Sequence, residues 1–200
     1  MALRGATADA HAALEETRIM VGISSGSPTV AEFAEYLDRQ WALHEALEPA
    51  LAPWVPAAWR DERLIKRHWL ARDLRALGQA SPRAVPARVR FASTAEAFGA
   101  LYVLEGSTLG LRLIEKRLQP GHPALTDAGH FIRGYGPDNG IRWKHFLERL
   151  ELVPAADWPA AITAARATFA LFLDTFADAV ASHAQAGAPN QTGPSSDSSN

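Results

Sequence analysis

Two stretches of the chain carry residues whose types and spacing could bind a metal or a flat ligand. In the first, near the N-terminus, Glu15 follows His11 by four residues, which is about one helical turn. A carboxylate in that position can accept the proton of the imidazole Nδ1, which orients the ring and leaves Nε2 free for a metal ion. The alternative is an ordinary, partly buried histidine with an ionic partner on the helix surface.

The second stretch, Ala95 to Leu118, places three glycines on one face of a predicted helix. Gly99, Gly106 and Gly110 are spaced seven and four residues apart, and each costs about 1 kcal/mol relative to alanine in a helix interior. One explanation is the close approach of a second helix. The other is a broad, flat ligand such as a porphyrin lying against the bare backbone, with the helix bent over it. The iron ligand of such a porphyrin cannot be cysteine, because the chain has none.

The helices that must position these residues follow from capping patterns and apolar periodicity. Ser93 with Glu96, and Thr29 with Glu32, have the spacing of capping boxes. Apolar residues at three- and four-residue steps predict helices over residues 3–20, 28–49, 61–77, 95–118, 142–152 and 155–184. No segment has a convincing strand pattern, so the predicted fold class is all-α.

Length and composition predict one domain with a polar tail. The chain has 200 residues, and 48% of them are hydrophobic, which is enough for one sizeable core. Residues 186–200 are polar and turn-prone, and they are predicted to be disordered. The helical domain is therefore expected to span residues 1–185.

Charge and cysteine content exclude several classes of function. With 20 basic and 22 acidic residues the net charge is -2, which argues against nucleic acid or an anionic membrane as the main partner. No secretory signal is visible, and no apolar run approaches the roughly 18 residues of a membrane span. A cytoplasmic protein is expected. The lack of cysteine excludes disulfides, thiolate ligation of haem and cysteine-based zinc or iron-sulfur sites.

Other polar residues within the predicted helices are interpreted as structural. His44 lies on the core-facing stripe of helix 28–49, with no partner evident from the sequence. Glu105, in the central helix, is interpreted as the partner of a nearby cation. The cations of helix 61–77 are interpreted as a solvated face: Arg63, Lys66, Arg67, Arg72 and Arg75.

Three segments, LRGATADAHAALE, GALYVLEGSTLGLRLIEKRL and FIRGYGPDNGIRWKHFLERLE, come in an order and at separations that resemble the bacterial haem oxygenases. The resemblance includes the members associated with bacterial phytochromes, and it covers most of the chain. It implies a single-domain, multi-helical fold in which haem is sandwiched between a proximal helix and a kinked distal helix.

The same resemblance implies roles for residues around the haem. His11 is the implied proximal iron ligand, with Glu15 as the carboxylate beside it. Gly106 and Gly110 are the implied glycines of the distal helix. The remaining implied contacts are two cations near the haem propionates and one aromatic ring packed on the haem: Arg4, Lys144 and Phe169.

Two positions depart from the family's usual pattern. Ser107 stands where many relatives have an aspartate that organises distal water, and its hydroxyl and that of Thr108 are expected to assist protonation. Leu111 stands where relatives often have a second glycine or a small residue. It either tightens the distal pocket or turns away from it.

The implied activity is the opening of haem by O₂ and an external electron donor to give biliverdin, CO and ferrous iron. The implied donor is a ferredoxin or an NADPH-linked reductase, with ascorbate as a substitute in vitro, and a bacteriophytochrome is an implied acceptor of biliverdin. One alternative is a carrier of haem or another tetrapyrrole with this fold and no turnover. The other is a di-iron oxygenase, but the chain lacks the Glu-x-x-His pair typical of those sites.

Overall fold

The computed structural model describes residues 2–79 and 89–177, and within these ranges the chain is helical without a β-strand. The all-α prediction is confirmed. The predicted tail and the end of the last predicted helix, beyond residue 177, lie outside the described ranges. The helices are α1 (Ala2–Ala6), α2 (Ala8–Glu15), α3 (Arg18–Ser24), α4 (Val30–Leu51), α5 (Ala57–Arg63), α6 (Lys66–Ala76), α7 (Thr94–Arg117), α8 (His130–Arg133), α9 (Asn139–Leu150) and α10 (Trp158–Ala177), with 3₁₀ turns at Ala52–Trp54, Pro123–Leu125, Gly136–Asp138 and Ala155–Asp157.

The two predicted capping sites are present. At the start of α4, the Thr29 hydroxyl accepts a hydrogen bond from the Glu32 amide (3.2 Å), and the Glu32 carboxylate accepts one from the Thr29 amide (2.8 Å). At the start of α7, the Ser93 hydroxyl accepts a hydrogen bond from the Glu96 amide (3.2 Å). The Glu96 carboxylate accepts one from the Ala92 amide (2.7 Å) rather than from Ser93, so the reciprocal half of the predicted box is not formed there. These local hydrogen bonds explain why the start of each long helix was predicted to within a residue or two.

The predicted N-terminal helix, residues 3–20, is instead three short helices. The backbone of Thr17 is extended (φ −62°, ψ 145°), and its hydroxyl accepts a hydrogen bond from the amide of Met20, so a new helix begins there. The chain also turns at Thr7, whose hydroxyl donates to the Leu3 carbonyl at 2.8 Å. The predicted helix over residues 61–77 is likewise divided, because the backbone of Leu64 leaves the helical region (φ −93°, ψ 50°).

Helix α7 lies at the centre of the molecule and makes its most extensive contact with α10. A Cβ atom built on Gly99 would lie 2.0 Å from the Ala161 carbonyl oxygen of α10. Close approach of a second helix therefore explains this first glycine. Helix α7 and the segment 155–177 are long and apolar enough to span a membrane, but many of their apolar residues belong to the protein core.

Helix α10 also supports the N-terminal helices. Both α1 and α2 pack against it, and Arg166 Nε donates a hydrogen bond to the Ala6 carbonyl at 2.8 Å. Helix α10 thus packs against both α2, which bears His11, and α7, which bears the three glycines.

Candidate functional site

The His11 side chain is 59% exposed, so it does not lie in the protein core. Helix α2 has no fully buried residue, because it lies on α10 with only part of its surface covered. The His11 Nδ1 atom is 3.6 Å from Glu15 Oε2, and the ring lies edge-on to Phe169, with centroids 6.0 Å apart. Glu15 thus lies beside Nδ1 of His11 as its spacing predicted, and the imidazole is accessible to an external ligand. The contact of Phe169 with His11 was not predicted, and the implied packing of Phe169 on haem stays a prediction.

A second histidine with the same spacing to a glutamate has the opposite environment. His44 is fully buried, its Nδ1 is 3.0 Å from Glu48 Oε1, and burial lowers the pKa of the imidazole. The Glu48 carboxylate also accepts a hydrogen bond from the backbone amide of Lys66 at 3.0 Å. The structural interpretation of His44 is confirmed, whereas its partner Glu48 was missed.

The three glycines on this face of α7 have different surroundings. Gly99 is covered by α10. A Cβ atom on Gly106 would meet the edge of the Trp143 ring at 3.6 Å, and one on Gly110 would have nothing within 4 Å. The face is therefore closed at its first glycine, bordered by an indole at the second and open at the third.

Tyr102 lies beside this face, in contact with Trp143. It lies one turn before Gly106, and its ring centroid is 5.5 Å from that of Trp143. Partial burial raises the pKa of Tyr102, and the positive charge of Arg4 opposes this shift. Arg4 in α1 is therefore close enough to act electrostatically on α7. The importance of Tyr102 and Trp143 was missed, because the sequence shows both only as aromatic residues on helical stripes.

The polar residues after Gly106 use their hydroxyl protons within the helix. Ser107 Oγ donates to the Leu104 carbonyl (2.8 Å), and Thr108 Oγ1 donates to the Glu105 carbonyl (2.6 Å). Ser107 is half-buried, and its oxygen can still accept a hydrogen bond. Thr108 is buried and points away from the glycine face. The expectation that Thr108 assists protonation is therefore corrected.

Leu111 is turned into the core. It is 3% exposed and belongs to the hydrophobic cluster, because a residue five positions after Gly106 points to the opposite side of a helix. Of the two orientations left open by the sequence, the structure adopts the one that leaves the glycine face unobstructed.

Glu105 lies at the centre of a buried cluster of charges. Its carboxylate receives hydrogen bonds from Arg63 Nη1 (2.5 Å), Lys66 Nζ (2.7 Å) and the Tyr135 hydroxyl (2.9 Å). The interpretation of Glu105 as a cation partner is confirmed, but placing Arg63 and Lys66 on a solvated face was wrong. Sequence patterns missed this because the cations lie 42 and 39 residues away from Glu105 along the chain.

The cluster keeps its ion pairs charged despite burial. Burial by itself raises the pKa of Glu105, but Lys66 and Arg63 outweigh it and hold that pKa below the usual value. Burial likewise works against the charge on Lys66, but Glu105 raises its pKa above the usual range. Tyr135 is a neutral donor, since burial raises its pKa to about 12.

No observed contact joins Lys144 to the other residues predicted to bind haem. Its side chain is 72% exposed, and its ammonium lies 3.9 Å from the carboxylate of Glu148 on the same helix. It follows Trp143, whose ring edge borders Gly106, directly in the chain. Its sequence-based role therefore stays a prediction.

Two cavities of about 440 and 600 Å³ lie elsewhere in the structure. The first lies between Pro53–Pro56, the start of α7 and residues 152–154, and the second between residues 89–91 and one face of α10. Neither is bordered by His11 or Gly106, so neither cavity is the predicted haem site. Within residues 2–79 and 89–177, no three His, Asp or Glu side chains converge as a metal site. A di-iron centre has no ligand set in that part of the chain.

The family model described as "Heme oxygenase" matches residues 1–178 of the chain. The chain belongs to the haem oxygenase family. A haem oxygenase from Xanthomonas campestris pv. campestris (strain 8004) is 34% identical over 160 residues, covering 77% of this chain and 94% of that protein. The enzyme therefore opens haem with O₂ and electrons to give biliverdin, CO and ferrous iron.

Solved haem oxygenases have the same fold. The NO- and CO-bound enzyme from Neisseria meningitidis superposes with a TM-score of 0.70 at 23% identity, over 96% of each chain. The enzyme from Leptospira interrogans superposes with a TM-score of 0.63 at 16% identity, over 88% of this chain and 97% of that one.

The residues of this haem oxygenase suit a flat iron macrocycle. The accessible imidazole on α2 could serve as a nitrogen ligand, and the backbone at Gly110 is open, with nothing within 4 Å of a Cβ atom built there. Arg4, which is exposed and whose charge acts on Tyr102, provides a cation for a carboxylate substituent. These three features match the three parts of haem: iron, ring and propionates.

Proposed function

We propose that this haem oxygenase holds its substrate between His11 on α2 and the α7 backbone at Gly106 and Gly110. The observation that supports this most directly is the contrast between the two histidines that precede a glutamate by four residues. His11 is more than half exposed, while His44 is completely buried and bonded within the core. Only the exposed imidazole can reach the iron of a molecule that enters from solution.

The residues on α2 and those on α7 have different proposed roles. Glu15 orients the His11 ring through Nδ1, which leaves Nε2 for the iron. Bound haem supplies the iron at which O₂ is activated. On the opposite side, glycine leaves room for the oxygen ligand, and the Ser107 oxygen can accept a hydrogen bond from a water molecule that delivers a proton. Phe169 packs against the His11 ring and restricts its rotation.

We infer that Arg4 and Lys144 bind the haem propionates. The positive charge of Arg4 opposes the burial-driven rise in the pKa of Tyr102, one turn from Gly106, which supports the first assignment. The position of Lys144 next to Trp143 supports the second, since the Trp143 ring borders Gly106. Both cations are exposed, so each can turn toward a carboxylate without a large desolvation cost.

The reaction needs partners, which we propose from the resemblance to bacterial haem oxygenases. The electron donor is a ferredoxin or an NADPH-linked reductase, and a bacteriophytochrome accepts the biliverdin. Both would meet the enzyme in the cytoplasm. We further propose that residues 1–185 form one domain.

The alternative function, a haem or tetrapyrrole carrier without turnover, would be favoured by a blocked distal side. Leu111 was the residue that could block it, and its side chain lies in the core. The catalytic function is therefore favoured over the carrier, and incubation with haem and ascorbate under air separates the two. The enzyme releases biliverdin and CO, whereas a carrier retains intact haem.

The variant His11→Ala tests the proposed ligand. Because the side chain is largely exposed, the variant should fold normally but lose the absorption spectrum of histidine-bound haem and most of its turnover. Added imidazole should restore the spectrum in part. The control is His68→Ala, which removes another exposed histidine, on α6, and should leave spectrum and turnover unchanged. Unimpaired conversion of haem by His11→Ala would refute the assignment.

A further inference from the structure

We propose that Glu105 is a positioning residue that holds the turn of α7 carrying Gly106 and Ser107 at a set height and rotation over the haem. This inference rests on the proposed binding of haem against that turn. Glu105 does not touch the substrate, because its side chain lies on another side of the helix, in the buried cluster with Arg63 and Lys66.

The first argument is that the three donors to Glu105 come from three separate parts of the chain. Arg63 ends α5, Lys66 begins α6, and Tyr135 immediately precedes the 3₁₀ turn Gly136–Asp138. A residue added to a helix rotates the chain by about 100° and advances it by about 1.5 Å. Even a fraction of such a movement would break hydrogen bonds of 2.5 to 2.9 Å in three directions. The cluster therefore fixes both rotation and translation of α7 at this point.

The second argument is that the helix needs such support at this turn. Ser107 and Thr108 each donate a side-chain hydrogen bond to the carbonyl three residues earlier, at Leu104 and Glu105. Hydroxyl donation of this kind weakens regular helix hydrogen bonds and favours bending. Gly106 adds backbone freedom at the same place. Lys66 Nζ, at 3.4 Å from the Leu104 carbonyl, contacts this weakened turn directly.

The third argument connects the cluster with the other border of the glycine face. Arg63 donates one guanidinium nitrogen to Glu105 and the other to the carbonyl of Arg142, at 3.0 Å. Arg142 immediately precedes Trp143, whose ring edge borders Gly106. A single guanidinium thus holds the Gly106 turn and the backbone of Trp143 at a constant separation. That separation sets how closely the Trp143 ring borders Gly106, which is part of the helix face proposed to contact haem.

The variant Tyr135→Phe is the primary test, because it removes one hydrogen bond to Glu105 and keeps the aromatic ring. That ring contacts Trp69, with centroids 5.5 Å apart, and lies beneath Lys66 Nζ at 5.3 Å. In the protein without haem, amide hydrogen exchange over residues 103–110 should become about tenfold faster, as expected for loss of one hydrogen bond to a charged group. Exchange around His11 should not change.

With haem bound, Tyr135→Phe should shift two further properties. One is the ratio of biliverdin isomers, which reports how the ring and its oxygen ligand are oriented. The other is the pH midpoint at which the spectrum of the ferric complex changes as iron-bound water loses a proton. A purely structural role would lower stability and leave both unchanged. Glu105→Gln, which also removes the negative charge, should shift both further if it folds.

The control is Thr175→Val, which removes a half-buried hydroxyl hydrogen bond to the Leu171 carbonyl near the end of α10. It should leave exchange in α7, the isomer ratio and the pH midpoint unchanged. Wild-type exchange rates over residues 103–110 in Tyr135→Phe would overturn the proposal. Faster exchange with an unchanged isomer ratio and midpoint would overturn it too. A wild-type protein that binds no haem would refute the proposed haem site, while exchange alone would still decide whether the cluster holds α7.

Discussion

Replacing Gly110 with alanine should stabilise the protein without haem and impair its reaction. Glycine inside a helix costs about 1 kcal/mol relative to alanine. A Cβ atom at this position meets nothing within 4 Å, so no steric term offsets the gain. For a domain of this size, about 1 kcal/mol corresponds to a rise in Tm of about 2 to 4 °C.

The same methyl group should interfere with haem, because it would lie where the ring approaches the backbone. A displacement of about 1 Å at a reacting centre can lower a rate by about a hundredfold. We therefore expect the Gly110→Ala rate of biliverdin formation with ascorbate to fall by roughly ten- to a hundredfold. Calorimetry of the haem-free protein and the rate of biliverdin formation give the two numbers.

Gly22→Ala is the matched control. Gly22 lies within α3, and a Cβ atom there also meets nothing within 4 Å. It should stabilise the protein by a similar amount and leave haem conversion unchanged. Unimpaired conversion by Gly110→Ala would show that haem does not lie against this face. A lower Tm for Gly110→Ala would show that the space over it is not open.

Three further predictions concern the surrounding framework. Gly99→Ala should destabilise the fold by about 1 to 3 kcal/mol or more in chemical denaturation, since its Cβ would overlap the Ala161 carbonyl; an unchanged midpoint would contradict the close helix contact. Asp73→Ala should lower the free energy of unfolding by about 3 kcal/mol or more. The buried carboxylate accepts hydrogen bonds from the first two amides of α8 and from the His130 ring. A loss under 1 kcal/mol would refute that role. The third prediction concerns the tyrosines. Burial raises the pKa of all three, that of Tyr135 to about 12. In an ultraviolet titration, little tyrosinate should therefore form at pH 10, where the unfolded chain is half-titrated. The contribution of Tyr135 to stability is therefore complete below about pH 10 and is lost as the pH rises toward 12. A normal titration in the folded protein would contradict the burial of the tyrosines.

The sequence predicted the parts of this enzyme that depend on near neighbours. Capping at Ser93 and Thr29 involves residues three positions apart, so the starts of α7 and α4 were evident from local patterns. The all-α class followed from the helical spacing of apolar residues. The glycines and the histidine with its glutamate were recognisable as unusual for the same reason.

Each ambiguity left by these patterns was decided by packing between distant segments. His11 and His44 both precede a glutamate by four residues, and only their burial separates an accessible imidazole from a core hydrogen bond. Gly99 and Gly110 share a helix face, but one meets α10 and the other open space.

The two buried cations show most clearly that local sequence patterns do not predict burial. Arg63 and Lys66 carry the pattern of a solvated helix face, yet both are bonded to Glu105 in the interior. A charge is stable there only because its partner arrives from about 40 residues away along the chain. Local sequence therefore determines which helices form and where chemical groups occur on them. The tertiary structure alone decides which of those groups meet solvent, each other or a ligand, because burial and pairing are properties of contacts between distant segments.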